Sequence, residues 1–216
     1  MKTLTERYQQ AACELLDRVS HTQADAIQQA GEMVAATAMR GNKIYLARIV
    51  HGIERDVIWR GGGPLFYREY KQEETRLNPG DLLFLGSVSG RSQELVDLAY
   101  DSVREDVQVI ALTSFAYSDA VEPIHSTGRK LRDIATLAVD MCAPVAEAML
   151  EVEGLGTKFA ASSGISSTFI LWSITSAAVE KMMADGYIPG ILKSINFPGG
   201  RDFNVECTRH YEKYGW

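Results

Sequence analysis

The sequence has 216 residues, of which 46% are hydrophobic and 23% are charged, and its formal net charge at pH 7 is -6. This length suits a single α/β domain with a substantial core. The acidic balance argues against a dedicated nucleic-acid-binding protein, which concentrates basic residues on one face. It leaves open an anionic ligand held by backbone amides.

The three cysteines, Cys13, Cys142 and Cys207, are far apart and odd in number. They predict neither a disulfide framework nor a metal site, and they indicate a reducing, cytoplasmic compartment. The N-terminus lacks the apolar core of a signal peptide. The most apolar region, residues 165–179, is too short to span a bilayer and contains Ser and Thr, so it predicts a buried helix and no membrane partner.

The N-terminal part of the chain is predicted to be helical. Apolar residues recur at helical spacing over residues 4–19 and 22–39, which predicts a helical extension over residues 1–40. Three shorter elements follow, namely a buried strand, a helix and a second strand, over residues 43–47, 53–59 and 65–67.

Strands and helices alternate in the rest of the sequence. Residues 82–86 are continuously apolar, which is typical of a central parallel strand covered on both faces. Two more strands are predicted over 107–112 and 135–140, and helices over 93–103, 163–185 and 201–214. This order predicts right-handed βαβ crossovers and a parallel sheet with helices on both faces. Because no repeat or linker interrupts the pattern, we expect one domain over residues 1–216.

A polar run, Ser87-Val88-Ser89-Gly90-Arg91-Ser92, joins the strand over 82–86 to the next helix; we call it the serine loop. Ligands lie at the carboxyl ends of parallel strands, and a helix N-terminus offers free N–H groups to phosphate. We therefore predict that Ser87, Ser89, Gly90, Arg91 and Ser92 bind a phosphate. The alternative is that Ser89 or Ser92 merely caps the helix.

Residues 79–92 and 109–114 together resemble the sugar isomerase (SIS) domain family, whose hallmark is such a loop between a buried strand and a helix. Segments 125–131, 151–155 and 194–204 are similar to a bacterial branch of that family related to the phosphoheptose isomerases. The resemblance covers the chain from residue 40 onward. It implies an α/β fold, a three-layer α-β-α sandwich around a mainly parallel, flavodoxin- or Rossmann-like sheet, and a phosphorylated sugar as ligand. It also implies a homodimer or homotetramer. His210 of the last helix is interpreted first as a solvated residue, and such pairing would also let it reach a neighbouring subunit's site.

The chain departs from that family after the first strand. The family commonly has a glycine- and serine-bearing loop there, whereas this sequence reads Ala47-Arg48-Ile49-Val50-His51-Gly52-Ile53-Glu54. His51 and Gly52 keep a trace of the family's loop, but Arg48 and Val50 replace small residues. The segment between residues 63 and 79 also looks shortened.

An aldose–ketose isomerase needs a base that moves a proton between C1 and C2 and a second group that opens the ring or shuttles hydroxyl protons. We expect Glu54 or Glu94 as the base and His125 or His51 as the second group. Simpler alternatives stay open for these residues. An acidic residue in a first turn, such as Glu94, can simply complement the helix dipole, and a histidine can simply be solvated or capping.

Further polar residues are candidates for contacts with sugar hydroxyls. We expect Arg48, Asn196 and Asn204 to make them, although the two asparagines can equally belong to a solvated glycine turn. Glu147, Glu151 and Glu153 are interpreted as an ordinary charged face and not as a catalytic cluster, although the spacing of four residues allows Glu147 and Glu151 to point together. No His or Cys pair has the spacing of metal ligands, so we expect no metal and no other cofactor.

The sequence therefore predicts a cytoplasmic phosphosugar-binding protein, an isomerase-type enzyme acting on a phosphorylated monosaccharide. One alternative is a sugar-phosphate sensor without chemistry, which the altered loop over residues 47–52 motivates. Another is a lyase or deglycase that cleaves a sugar-phosphate conjugate. The predicted partners are a phosphorylated sugar and further copies of the chain. We expect no nucleic-acid partner and no membrane partner.

Overall fold

The computed structural model describes residues 2–47 and 49–215. Arg48, a predicted sugar contact, lies outside the described residues. The chain begins with two helices, α1 (Leu4–Thr22) and α2 (Ala24–Met39), which confirm the predicted helical extension. Helix α1 starts with a capping box, because the Thr3 hydroxyl accepts the Glu6 N–H while the Glu6 carboxylate accepts the Thr3 N–H.

The central element of the described chain is a five-stranded sheet in which every neighbouring pair is parallel. Its strands, in chain order, are β1 (Ile44–Leu46), β2 (Tyr67–Glu69), β3 (Leu82–Gly86), β4 (Gln108–Thr113) and β5 (Leu137–Asp140). Their order across the sheet is β2-β1-β3-β4-β5. The predicted parallel α/β sheet is confirmed.

Helices cover both faces of this sheet. The remaining helices are α3 (Gln93–Arg104), α4 (Phe115–Asp119), α5 (Ser163–Ala184) and α6 (Gly200–Tyr214). Leu82 and Phe84 of β3 pack into a core shared with α1, α2 and α5, whereas Leu83 and Leu85 pack into a second core shared with α3. This alternation follows from the two-residue period of a strand, and it gives the predicted three-layer sandwich.

Several elements differ from the prediction. Helix α4 is not among the predicted helices, and β2 lies at Tyr67–Glu69 where a strand over residues 65–67 is predicted. Residues 53–59 were expected to be helical, but the structure has a 3-10 helix over Val50–Asp56, interrupted where His51 and Gly52 adopt left-handed backbone angles. The structure also contains a small antiparallel pair, β6 (Ala148–Leu150) and β7 (Phe159–Ala161), which the sequence did not reveal because each strand has only three residues. No helix among the described residues is long and apolar enough to cross a membrane.

Helices α2 and α5 are in close contact at Gly31, and this contact gives a stability prediction. A Cβ on Gly31 would lie 2.5 Å from the Ala177 Cβ, whereas a Cβ on Gly164 of α5 would meet no atom within 4 Å. We expect Gly31→Ala to lower the free energy of unfolding by about 1–2 kcal/mol, because overpacking outweighs the gain in helix propensity. Gly164→Ala should raise it by up to about 1 kcal/mol. Urea denaturation of both variants checks this; equal effects would contradict it.

Candidate functional site

The order of the strands places a crevice between β1 and β3. From β1 the chain continues to β2 on one side, and from β3 it continues to β4 on the other side. In open parallel sheets of this order, such a switch point leaves a crevice at the carboxyl ends of the two strands. The segment after β1, which contains His51, and the serine loop after β3 therefore face each other there.

Backbone hydrogen bonds hold the serine loop in a compact shape. The Ser87 N–H donates to the Leu112 carbonyl and the Gly90 N–H donates to the Ser87 carbonyl, both at 3.0 Å. The Gly90 carbonyl in turn accepts the Leu131 N–H at 2.7 Å. Gly90 has a φ of 68°, in the left-handed region, and a Cβ there would lie 2.9 Å from the Thr113 Oγ1. The loop thus needs glycine at this position for both its backbone angle and its packing.

The serine hydroxyls take no part in this anchoring. Ser92 occupies the N-cap position of α3, yet its side chain makes no capping hydrogen bond. Within the described ranges, the hydroxyls of Ser87, Ser89 and Ser92 have no hydrogen-bond partner, although all three residues are partly buried. The capping alternative for Ser92 is therefore not what the structure shows. These hydroxyls are free to bind a ligand.

A cavity of about 350 Å³ opens between the serine loop and the segment after β1. Its lining consists of Val50, His51, Gly86, Ser87, Val88, Ser89, Ser92, Leu95, Tyr117 and Glu147. The three predicted phosphate-binding serines and His51 thus come together in one place. Arg91 is exposed and is not part of this lining.

The carboxylate in the cavity wall is Glu147, which sequence reasoning assigned to a charged helical face. No helix forms there, because Ala146 and Glu147 have φ angles of 61° and 74° and lead directly into β6. The Glu147 Oε1 accepts a hydrogen bond from the Ser163 hydroxyl and lies 3.3 Å from the His51 Nε2. The Glu147 carbonyl accepts the Ser162 hydroxyl at 2.6 Å.

The pairing of two short strands explains why Glu147 was missed. The register of β6 with β7 places Ala148 opposite Ala161, so that the next residues, Glu147 and Ser162, also lie together. This contact joins residues that are far apart in the sequence, and a regular spacing of residues along a helix or strand does not predict it. The one signal available was the hydroxyl-rich start of α5 at Ser162 and Ser163, whose hydroxyls bond Glu147 and do not cap the helix.

The other predicted catalytic residues lie outside this lining. The Glu54 Oε2 accepts the Ile49 N–H at 3.2 Å and so closes the turn that carries His51. Glu94 borders a neighbouring cavity of about 490 Å³, which lies between α3 and residues that follow β1 and β2 and shares Leu95 with the serine-loop cavity. Their catalytic roles stay predictions.

His125 is held by contacts at both ring nitrogens. Its Nε2 lies 2.8 Å from the Asp97 Oδ1 and its Nδ1 lies 2.7 Å from the Thr127 Oγ1. The ring stacks on Tyr100, and only 8% of the side chain is exposed. His125 is not among the residues lining the serine-loop cavity, and its catalytic role stays a prediction.

The predicted sugar contacts near the C-terminus also lie apart from the cavity lining. The Asn204 amide bonds both the N–H and the carbonyl of Lys193, at 2.8 and 2.9 Å, and this fixes the start of α6. Asn196 is exposed in the turn before α6. A role for either residue at the sugar stays a prediction.

Cys142 and Cys207 lie away from the lining of the serine-loop cavity. Burial raises the pKa of the Cys142 and Cys207 thiols, which disfavours the nucleophilic thiolate. Among the residues that the structure describes, no group of three or more His, Cys, Asp or Glu side chains could hold a metal ion.

Comparison with known sequences finds relatives over most of the chain. No family model matches it. It is similar to a UPF0309 protein of Shouchella clausii, with 27% identity over 241 aligned positions that cover 97% of this chain and 98% of the relative. A UPF0309 protein of Listeria monocytogenes is 28% identical over 212 positions, which cover 89% and 91%. Because 241 aligned positions exceed the 216 residues here, the first relative has residues that this chain lacks.

Comparison with solved structures confirms the fold. A phosphoheptose isomerase from Francisella tularensis has a TM-score of 0.55 and 13% identity and covers 83% of this chain and 100% of its own. The phosphoheptose isomerase of Neisseria gonorrhoeae gives 0.54 and 17%, covering 84% and 100%. The NanR protein of Vibrio vulnificus, in complex with ManNAc-6P, gives 0.53 and 15%, covering 99% and 70%. The predicted resemblance to the sugar isomerase domain is thus confirmed for the fold.

The serine loop gives a second stability prediction. Gly90 and Gly128 have nearly equal φ angles of 68° and 69°, but a Cβ on Gly128 would meet no atom within 4 Å. Either alanine variant should therefore lose about 1–2 kcal/mol of unfolding free energy through backbone strain. Gly90→Ala should lose at least about 1 kcal/mol more, because its Cβ also collides with Thr113. Parallel denaturant titrations measure the difference, and equal losses would show that the collision is relieved.

Proposed function

We propose that this protein binds a phosphorylated monosaccharide in the serine-loop cavity and catalyses an aldose–ketose type isomerisation. The observation that carries the proposal is the set of three partly buried serine hydroxyls, without partners among the described residues, at the N-terminus of α3. A phosphate there meets hydroxyl donors and the unpaired N–H groups of the first helical turn together.

The size of the cavity fits a small ligand. Its volume of about 350 Å³ lies at the lower end of the range usual for small-molecule sites, about 300–1,000 Å³. With a phosphate at the serine loop, the sugar extends toward His51 and Glu147, which also belong to the lining. The fold likeness to the two phosphoheptose isomerases supports this reading without identifying the sugar.

A sugar-phosphate sensor is the second candidate. The favouring observation is Val50, an apolar side chain that lines the cavity in the segment where sugar isomerase domains commonly carry small or hydroxyl residues. The likeness to the NanR protein of Vibrio vulnificus, seen in complex with ManNAc-6P, is compatible with binding alone. A sensor binds the sugar phosphate without exchanging its C2 proton, whereas an isomerase does both.

The proposal predicts binding and proton exchange from the same site. We expect the protein to bind at least one member of a panel of five- to seven-carbon aldose and ketose phosphates and to exchange its carbon-bound proton with D₂O. Ser89→Ala combined with Ser92→Ala should weaken affinity at least about tenfold, because donors to a charged phosphate contribute about 1.5–3 kcal/mol each.

Calorimetry measures the affinity and proton NMR measures the exchange. Ser176→Ala is the matched control, because Ser176 lies on the exposed side of α5 and bonds only the Trp172 carbonyl. Tight binding without exchange throughout the panel would favour the sensor. Absence of binding throughout, or full affinity in the double serine variant, would contradict the proposed site.

Assembly into a homodimer or homotetramer is part of the proposal. Helix α6 buries only Gly200 among its described residues, and Phe203 and Val205 are 41% and 49% exposed. Apolar residues on such a loosely packed helix are typical of an interface. We expect light scattering to give at least twice the mass of one chain and Phe203→Glu to reduce it. A monomer at micromolar concentration would contradict this. Glu206→Gln, a change at an exposed residue of the same helix, is the control for Phe203→Glu.

A further inference from the structure

We infer that Glu147 is the base that moves the proton between C1 and C2 of the sugar phosphate, and that Ser163 and His51 position its carboxylate. This assignment rests on the proposed isomerase function and adds the identity of the proton-transferring group. The sequence offered Glu147 as one of several carboxylates and favoured an ordinary charged face over a catalytic cluster for them. The inference comes from the contacts of its two carboxylate oxygens, from the backbone that presents it and from its place in the cavity wall.

The two oxygens of the Glu147 carboxylate have different surroundings. Oε1 accepts the Ser163 hydroxyl and faces the His51 Nε2 at 3.3 Å. Because a carboxylate only accepts hydrogen bonds, this contact requires the proton of a neutral His51 ring to be on Nε2. Oε2 has no hydrogen-bond partner among the described residues. One oxygen is thus fixed and the other is free to take a proton from a ligand.

The position of Glu147 suits a group that must be held and yet remain accessible. Its side chain is 24% exposed, whereas that of His51 is 67% exposed at the mouth of the cavity. Ser163 is fully buried as the first residue of α5, where the positive end of the helix dipole attracts a carboxylate. The carboxylate of Glu147 is therefore held by a buried residue of the protein interior, while Glu147 itself lines the cavity.

Both residues of the His51–Glu147 contact have a strained backbone conformation. His51 has a φ of 58°, and Ala146 and Glu147 have φ values of 61° and 74°. The left-handed region costs about 1–2 kcal/mol for a residue with a Cβ, and such strain clusters at functional sites. The surrounding structure holds it in place. Glu54 closes the turn around His51 through the Ile49 N–H, and the β6–β7 pair fixes Glu147.

The proton transfer balances with this single carboxylate. The free oxygen of Glu147 takes the C2 proton of the open-chain aldose phosphate, the C2–H electron pair forms the C1–C2 double bond, and the carbonyl electrons move to O1. Glu147 then returns the proton to C1, while the hydroxyl proton of O2 passes to O1 through water and the C2 carbonyl forms. The Glu147 carboxylate is regenerated, and no oxidant or cofactor is consumed.

Glu147 fits this role better than the carboxylates expected from the sequence. The Glu54 carboxylate already accepts the Ile49 N–H, and Glu94 borders the neighbouring cavity between α3 and the residues that follow β1 and β2. Neither lines the serine-loop cavity. Glu54 is better understood as a residue that positions His51.

The test compares Glu147→Gln with Glu153→Gln, a matched change at an exposed residue close to β6. The probe is the sugar phosphate of the panel that the unaltered protein exchanges fastest. We expect Glu147→Gln to bind it with an affinity within threefold of normal and to lower the C2 exchange rate at least about 100-fold, in the range typical of a lost general base. Glu147→Asp should retain a measurable part of the rate, and Glu153→Gln should leave binding and exchange unchanged.

Ser163→Ala and His51→Gln keep the inference testable if Glu147→Gln does not fold. Each should lower kcat about tenfold or more with little change in KM, because the positioned carboxylate acts on the chemical step. The inference is overturned if Glu147→Gln exchanges at a normal rate, if both positioning variants keep a normal kcat, or if only Glu54→Gln or Glu94→Gln abolishes exchange. In those cases the proposed isomerase stands. If the unaltered protein exchanges no panel member, the proposed isomerase fails and this assignment falls with it.

Discussion

The close approach of two chain segments at the end of the sheet is the constraint on which the site depends. A Cβ on Gly86, the last residue of β3, would lie 3.0 Å from the Ile49 Cα and 3.2 Å from the Val50 N. Only glycine lets the chain leaving β1 pass this near to β3. The parallel register of the two strands, with Ile44 opposite Leu82, brings the segments to the same level. The cavity, the serine loop and the turn that carries His51 all follow from this contact.

The charge pattern of the site is unusual for a protein that is proposed to bind phosphate. The described residues that line the cavity include no Lys or Arg and do include Glu147, and the whole chain is acidic. The described lining residues can attract an anion through N–H and O–H dipoles, which act at short range and at fixed positions. Such dipoles favour a correctly placed anion over anions in general, and Glu147 shares the cavity wall with His51, whose Nε2 lies 3.3 Å from its Oε1.

The fold could be predicted from the sequence because local patterns determine it. The continuous apolar run over residues 82–86 and the helical spacing in α1, α2 and α3 needed no knowledge of distant contacts, and the serine loop followed from its place between a strand and a helix. The catalytic candidates were harder to predict. Glu54 and His125 have the right chemistry, and their hydrogen bonds join them to the Ile49 N–H and to Asp97, so that their catalytic roles stay predictions. Glu147 is placed in the cavity wall by the pairing of β6 with β7. Strands of only three residues leave no recognisable pattern in the sequence.

The left-handed backbone at His51, Ala146 and Glu147 sets the stability of the fold against the side chains that these positions carry. At each of these positions glycine would relieve the strain, so selection for thermal stability alone favours a glycine there. Two of the three replacements would also remove a side chain that lines the cavity. The strain is therefore the cost of placing an imidazole and a carboxylate side by side in the cavity wall.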